Sequence, residues 1–313
     1  MNWKVKGFGQ SVLSRLPYAT TLNYWGQQYI TRAHKDCAEG VRDRLAKARW
    51  FVEQFARHGG CRLGQAQFYE FGAGWNLAGP LALYCLGADK QIVVDVSLCA
   101  RLELVNGVIA ELCRLRDTLP RVPDTPLRSL AELQERCGII YRAPADARHT
   151  GLPRDSVDCI TDTYTFEHIP PADALAITEE CHRILKPRGL NLSMIDYQDH
   201  YSYRDARISV YNFLQYSERR WRWFNSPLHY QNRWRHSQYR RMFIDCGFEV
   251  LAEELQLPTS HDLERLKSLP LSPEFRSFAF EDLAVLSSRM VCRRAGLEDN
   301  PNRSVPEHAG SSV

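Results

Sequence analysis

With 313 residues, 44% of them apolar and 25% charged, the chain is long enough for one large α/β domain with additions or for two modest domains. Its net charge of only +3 excludes a global field that would draw nucleic acid or an anionic membrane. Ten cysteines stand apart, with no Cys-x-x-Cys and no Cys/His pairing of zinc-site spacing, so reduced thiols and no metal site are expected.

The chain opens Met-Asn-Trp-Lys-Val-Lys and soon reaches Ser11, Arg15 and Pro17, which lacks the apolar core of a signal peptide, and no run approaches the ~18 apolar residues of a membrane span. A cytoplasmic protein without a membrane span is the expectation. Residues 1–60 read as an N-terminal helical cap, with Val41, Leu45, Trp50, Phe51 and Phe55 on one broad face and Gly59-Gly60 as its end.

Alternation of strand and helix follows. "AQFYEFG" (66–72) reads as a strand running into a loop, "NLAGPLALYCLGA" as a short helix ending near Gly87, and "QIVVDVS" (91–97) as a strand buried on both faces. A helix is expected from about Leu98 to Leu115. Three prolines in "RDTLPRVPDTPLRSL" then mark an inserted loop before a short helix ending near Cys137.

Residues 138–147, 156–169 and 189–197 supply three more strand-to-loop segments. Between the last two, a helix starts near Pro171 and ends in a Lys186-Pro187-Arg188-Gly189 turn. This order predicts an α/β doubly wound, mostly parallel sheet. Twelve aromatic residues then crowd positions 197–239, with an aromatic-rich lid insertion at about 198–236. A helix through "SQYRRMFIDCGF", a strand "EVLAEEL", a short helix around 260–268 and a strand candidate at 282–294 follow. The domain should therefore span 61–294, and residues 295–313 read as a disordered tail.

The most informative stretch is "EFGAGWNLAG", Glu70 to Gly79. Gly72 and Gly74 between a strand and a helix let a ligand touch the main chain beside helix N–H groups. Asp95 ends the next strand 21 residues after Gly74, where a carboxylate can accept both hydroxyls of a ribose. A pyrophosphate does not welcome Glu70 and would want a third glycine where Asn76 stands. S-adenosylmethionine, a sulfonium with an ammonium and a carboxylate, has no phosphate to cradle and suits an acid there. Asn76 can cap the following helix through its side chain.

At these residues the chain resembles the class I S-adenosylmethionine-dependent methyltransferases, over about residues 66–292, and in particular bacterial methyltransferase-domain proteins. The matched pieces are "EFGAGWN", "VVDVS", "ADA", "VDCITDTYTFEHI" and "RILKPRGLNLSMID". The resemblance implies a Rossmann-like seven-stranded sheet with an antiparallel last strand, and S-adenosyl-L-methionine as cofactor. It further implies that Glu70, Gly72 and Gly74 serve the amino-acid end, Asp95 the ribose, Asp146 and Ala147 the adenine, and Thr163 the sulfonium, with Trp75 and Asn76 departing from the family's small residues.

Methyl transfer asks a protein to align a nucleophile and, for a hydroxyl, to remove its proton. His200 is the preferred base, oriented by Asp196 or Asp199, since histidine changes charge near neutral pH. His168 is a second candidate, for holding the fourth-strand loop. Nine arginines against three acids between residues 199 and 241 suit a small-molecule or glycan-type acceptor, including an anionic one. "NSPLHYQNR" also resembles stretches of bacterial methyltransferase-domain proteins, some associated with surface-polysaccharide synthesis.

"TDTYTF" stands where an amino-group methyltransferase would carry Asn-Pro-Pro-Tyr, so oxygen is the expected target and no nucleic-acid partner is expected. A homodimer is compatible with the sequence. The competing readings are a non-catalytic S-adenosylmethionine-binding protein and a nicotinamide-dependent oxidoreductase.

Overall fold

The structure, a computed structural model, describes Trp3, Lys4, Gly7, Gly9 and residues 38–295. Most of the expected cap before residue 38, and the tail beyond Ala295, therefore lie outside the described residues. Seven strands form one sheet in the order β3-β2-β1-β4-β5-β7-β6. They are β1 (Gln67–Phe71), β2 (Lys90–Val94), β3 (Ile139–Arg142), β4 (Val157–Thr163), β5 (Leu185–Asp196), β6 (Phe248–Gln256) and β7 (Ser287–Arg294). β7 alone runs opposite in direction to the other six strands. Strand order reverses between β1 and β4, and at that switch point the loops leaving the carboxyl ends part to form a crevice.

The sequence explains the layers. β1, β2 and β4 are almost continuously buried because helices cover both faces. On one side, α1 (Ala38–His58) buries Val41, Leu45, Trp50, Phe51 and Phe55 and packs on α2 (Ala78–Leu86) and α3 (Leu102–Arg114). α4 (Glu132–Cys137) is short and ends at Gly138 in the left-handed conformation, as a C-terminal glycine allows. On the other side, α5 (Pro171–Ile184) packs with α7 (His236–Asp245), around Ala174, Cys181, Met242 and Phe243.

Three expected boundaries shift. α3 begins at Leu102 rather than near Leu98, because the Ala100 amide donates to the Tyr141 hydroxyl and the Arg101 amide to the Trp75 carbonyl, which holds this segment as a loop. The strand expected from 282 begins at Ser287. Before it stands α9 (Phe280–Ala284), whose Glu281 and Asp282 suit a helix N-terminus. The turn at 186–189 is absorbed into β5 as a register irregularity, with Arg188 at φ 63°.

Residues 197–235, with the brief α6 (Glu218–Trp221), fold against the 257–286 connection that carries α8 (Ser260–Lys267). Together they make a third apolar cluster of Trp3, Tyr201, Tyr211, Phe213, Trp221, Leu266, Phe275 and Leu283. Most of the aromatic stretch is therefore core. Two arginines offered for an anionic acceptor are structural as well. Arg233 donates to the carbonyls of Phe213 and Tyr216 and pairs with Glu218.

Arg235 is fully buried and donates to the carbonyls of Tyr197, Leu283 and Val285 at 2.7, 3.1 and 2.9 Å. Replacing it with methionine would orphan three carbonyls, so Arg235→Met should lower unfolding free energy by about 2–4 kcal/mol. A shift of the urea midpoint measures this, and an unchanged midpoint would refute the role.

Candidate active site

Gly72 and Gly74 adopt φ of +73° and +76°. A side chain on Gly72 would collide with Thr165, which shows that the β1 loop lies directly against the β4 loop. A Cβ on Gly74, by contrast, would meet open space, the cradle a ligand could enter. Glu70 is buried at the end of β1, its carboxylate 3.2 Å from where a Gly79 Cβ would stand at the start of α2. Burial pushes its carboxyl up to about 8; Arg44 opposes that, and Asp162 and Asp95 add to it.

Asn76 accepts from the Ala78 amide at 3.1 Å, satisfying an orphan N–H of the first helical turn, while Leu77 takes the left-handed conformation at the N-cap itself. Trp75 lies at the helix start with the Arg101 guanidinium 5.7 Å from its ring centre. Its side chain is partly exposed.

Asp95 is 6% exposed and its Oδ2 has no hydrogen-bond partner among the described residues. Burial drives its carboxyl up to about 7, against the Tyr141 hydroxyl and the Gly74 amide, which favour the charged form. A buried carboxylate oxygen lacking a donor, one residue from the exposed side chain of Val96 (82%), fits a ribose with a purine beside it. Val96 and Leu98 were missed in the sequence, where they read as strand and helix interior. The Ala145 amide donates to the Asp95 carbonyl and places Asp146 and Ala147 at the same edge. The Asp146 carboxylate is itself engaged by Arg148 at 2.8 Å, which holds it down to about 2, and Arg148 also reaches Asp173.

These shifts carry a sign. Both Asp95 and Glu70 hold protons in the fold up to about pH 7–8, whereas unfolded carboxyls lose theirs near pH 4. Stability of the ligand-free protein should therefore fall as pH rises across that window. A ligand whose hydroxyls donate to Asp95 favours the ionised form, so its affinity should fall by up to about tenfold per pH unit below pH 7. Calorimetric titration with S-adenosylhomocysteine between pH 6 and 8 checks this, and a flat profile would contradict it.

β4 ends at Thr163, partly exposed, and the chain turns through Tyr164 at φ 58° into a single helical turn, Phe166–His168. β5 ends at Asp196. His200 Nε2 lies 3.2 Å from Asp196 Oδ2, and Tyr203, its ring stacked on His200 at 5.3 Å, donates to the same carboxylate. Burial alone would raise the Asp196 carboxyl, but hydrogen bonds from His200, Tyr203 and the Gln198 amide outweigh it and hold it below the ordinary range. Asp199 does not orient His200. It is buried and accepts from the Tyr201 amide and Asn212 instead.

The rings of His168 and His200 lie 4.9 Å apart. His168 is exposed to solvent, and its Nδ1 stands 2.8 Å from the Tyr230 carbonyl. Gln231 and Asn232 strap the two loops together. Gln231 bridges the His200 amide and the Gln198 carbonyl, while Asn232 donates to the carbonyls of Phe166 and Ile169. Neither was singled out in the sequence, since an amide carries no charge signal.

The structure thus brings Glu70, Gly72, Gly74, Trp75, Asn76, Asp95 and, from the next loop, Asp146 and Ala147 to one side of the crevice. Thr163, His168, Asp196 and His200 stand at the ends of β4 and β5, the adjoining side.

Residues 124–192, from the inserted loop into β5, match the family model described as "Methyltransferase domain". No curated protein matches the sequence. Solved structures similar to this chain include an S-adenosylmethionine-dependent methyltransferase from Mesorhizobium loti, 17% identical, covering 83% of this chain and 100% of that one with a TM-score of 0.41. The YcgJ protein from Bacillus subtilis is 16% identical, covering 80% and 96%, with a TM-score of 0.41. A chain in the complex with the Haloferax volcanii Trm112 methyltransferase activator is 16% identical, covering 88% and 96%, with a TM-score of 0.47.

Proposed function

We propose that this chain, a class I S-adenosylmethionine-dependent methyltransferase, methylates an oxygen of a small-molecule or glycan-type acceptor. The observation that carries the reading is the His200–Asp196 pair at the end of β5, the strand that pairs in parallel with β4, which ends at Thr163. S-adenosylmethionine supplies an electrophilic methyl group on a sulfonium. Gly72 and Gly74 would accommodate its amino-acid end, with Glu70 beside its ammonium; Asp95 would accept both ribose hydroxyls, and Val96, Asp146 and Ala147 would border the adenine.

Asp196 holds one ring N–H of His200, which leaves the other nitrogen to take the acceptor hydroxyl's proton as the oxygen attacks. Little more is required of the protein than this alignment, because a displacement at an activated carbon needs no covalent intermediate. Tyr230, Gln231 and Asn232 would set the distance between the two loops. The anionic preference narrows on this reading: Arg233 and Arg235 are buried, and Arg207, Arg240 and Arg241 pair with Asp205, Glu253 and Asp245, which leaves the exposed Arg204, Arg219, Arg220 and Arg222 outside those pairs.

The test is a transfer screen with methyl-labelled cofactor against nucleotide sugars, phenols, carboxylic acids and amines. Label in an alkali-stable ether of a hydroxyl acceptor supports the proposal. Label confined to amines, or none with an intact cofactor-binding protein, contradicts it, the latter in favour of a non-catalytic binding role.

A further inference from the structure

We propose that Glu167, His168 and His200 form a binding site for a divalent transition-metal ion of the zinc class, at the ends of β4 and β5. Three potential ligand atoms, one from each side chain, lie within 4.8 Å of one another. Ligand atoms about 2.0–2.2 Å from a tetrahedral ion stand about 3.3–3.6 Å apart, so the three side chains would have to close by up to about 1.5 Å around it.

The independent observation is Glu167. It is 1% exposed, yet neither carboxylate oxygen has a hydrogen bond of good geometry among the described residues, although the amides of Glu167 and Asp196 lie near. A buried carboxyl without donors is costly unless something compensates it. Its main chain is pinned by the Asn232 amide at 2.7 Å, which fixes where the side chain starts.

The two histidines are prepared in the manner of metal ligands. A carbonyl can only accept, so His168 Nδ1 carries its proton toward Tyr230 and leaves Nε2 with the lone pair. His200 turns one nitrogen to the Asp196 carboxylate, itself held by Tyr203. Ligating histidines characteristically use the second nitrogen in these two ways. Two imidazoles and one carboxylate select zinc, cobalt, manganese or iron(II) over magnesium or calcium, which prefer all-oxygen sites.

Three protein ligands leave coordination positions open, as in sites that act on a bound oxygen. An ion there would take the His200 nitrogen that serves as base in the ion-free protein; the loaded site would instead lower the pKa of an acceptor hydroxyl, whose proton then passes to solvent water. This consequence rests on the methyl-transfer reading, but ion binding itself does not.

The experiment is titration of chelator-stripped protein with Co²⁺, read by visible d–d absorption, followed by Zn²⁺ displacement, with S-adenosylhomocysteine affinity measured in parallel. One equivalent should bind, and Glu167→Gln and His168→Ala should each weaken binding at least tenfold while the S-adenosylhomocysteine affinity stays within about twofold. Cys61→Ser, which removes the one exposed thiol among the described residues, should leave Co²⁺ binding unchanged. Absence of stoichiometric binding, binding that survives both ligand variants, or binding lost in Cys61→Ser would overturn the proposal. Failure of the wild-type protein to bind S-adenosylhomocysteine would instead sink the methyl-transfer reading and leave the ion result standing.

Discussion

Asp95→Ala should weaken S-adenosylhomocysteine binding by about 100-fold while leaving the ligand-free protein at least as stable as the wild type. The two effects have opposite signs because they come from one fact. Asp95 is buried with an oxygen that has no donor, so it burdens the empty fold and is relieved by a ligand. Two hydroxyls donating to a carboxylate contribute about 1.5–3 kcal/mol each, and retaining only part of that already accounts for a hundredfold. Thermal denaturation with and without ligand reads both quantities in one experiment. A variant that loses stability while keeping its affinity would make Asp95 a structural strand-end acid.

His200→Ala should reduce kcat by about 10²–10³ with cofactor affinity within twofold of wild type. Asp196→Asn should follow it in direction with a smaller effect, because it removes the orienting carboxylate and leaves the ring in place. The double variant should cost little more than His200→Ala alone, since groups acting as a unit are not additive. Full turnover in His200→Ala would remove it from the mechanism. The metal ion proposed above does not rescue that outcome, because His200 is one of its ligands.

The fold was legible in the sequence where local rules and burial agree. Phe68–Phe71 and Ile92–Val94 are runs that only a doubly covered parallel strand satisfies, and Gly87 and Gly138 stop helices where the left-handed conformation needs them. Boundaries went astray where tertiary hydrogen bonds decide them. Nothing local in "SLCAR" says that the Arg101 amide will be taken by Trp75.

The site divides in the same way. The placing of Gly72, Gly74 and Asp95 at one sheet edge was readable because their spacing is imposed by one strand–loop–helix–strand unit. The Glu167–His168–His200 cluster was not, because it joins two loops 32 residues apart in sequence and shows no fixed ligand spacing. Arg233 and Arg235 misled for a related reason: a basic residue in an aromatic stretch reads as a binding group, and only packing reveals that it feeds buried carbonyls. Asn232 was silent altogether, although it clamps the β4 loop through two carbonyls.

On this account the crevice between the β1 loop and Asp95 takes S-adenosylmethionine. Calorimetric titration of the purified protein at pH 8 with S-adenosylmethionine, S-adenosylhomocysteine and NAD tests it most directly. One site per chain for each of the first two, and no heat with NAD, is the predicted result. Binding of NAD, or no binding of either sulfur ligand, would contradict it.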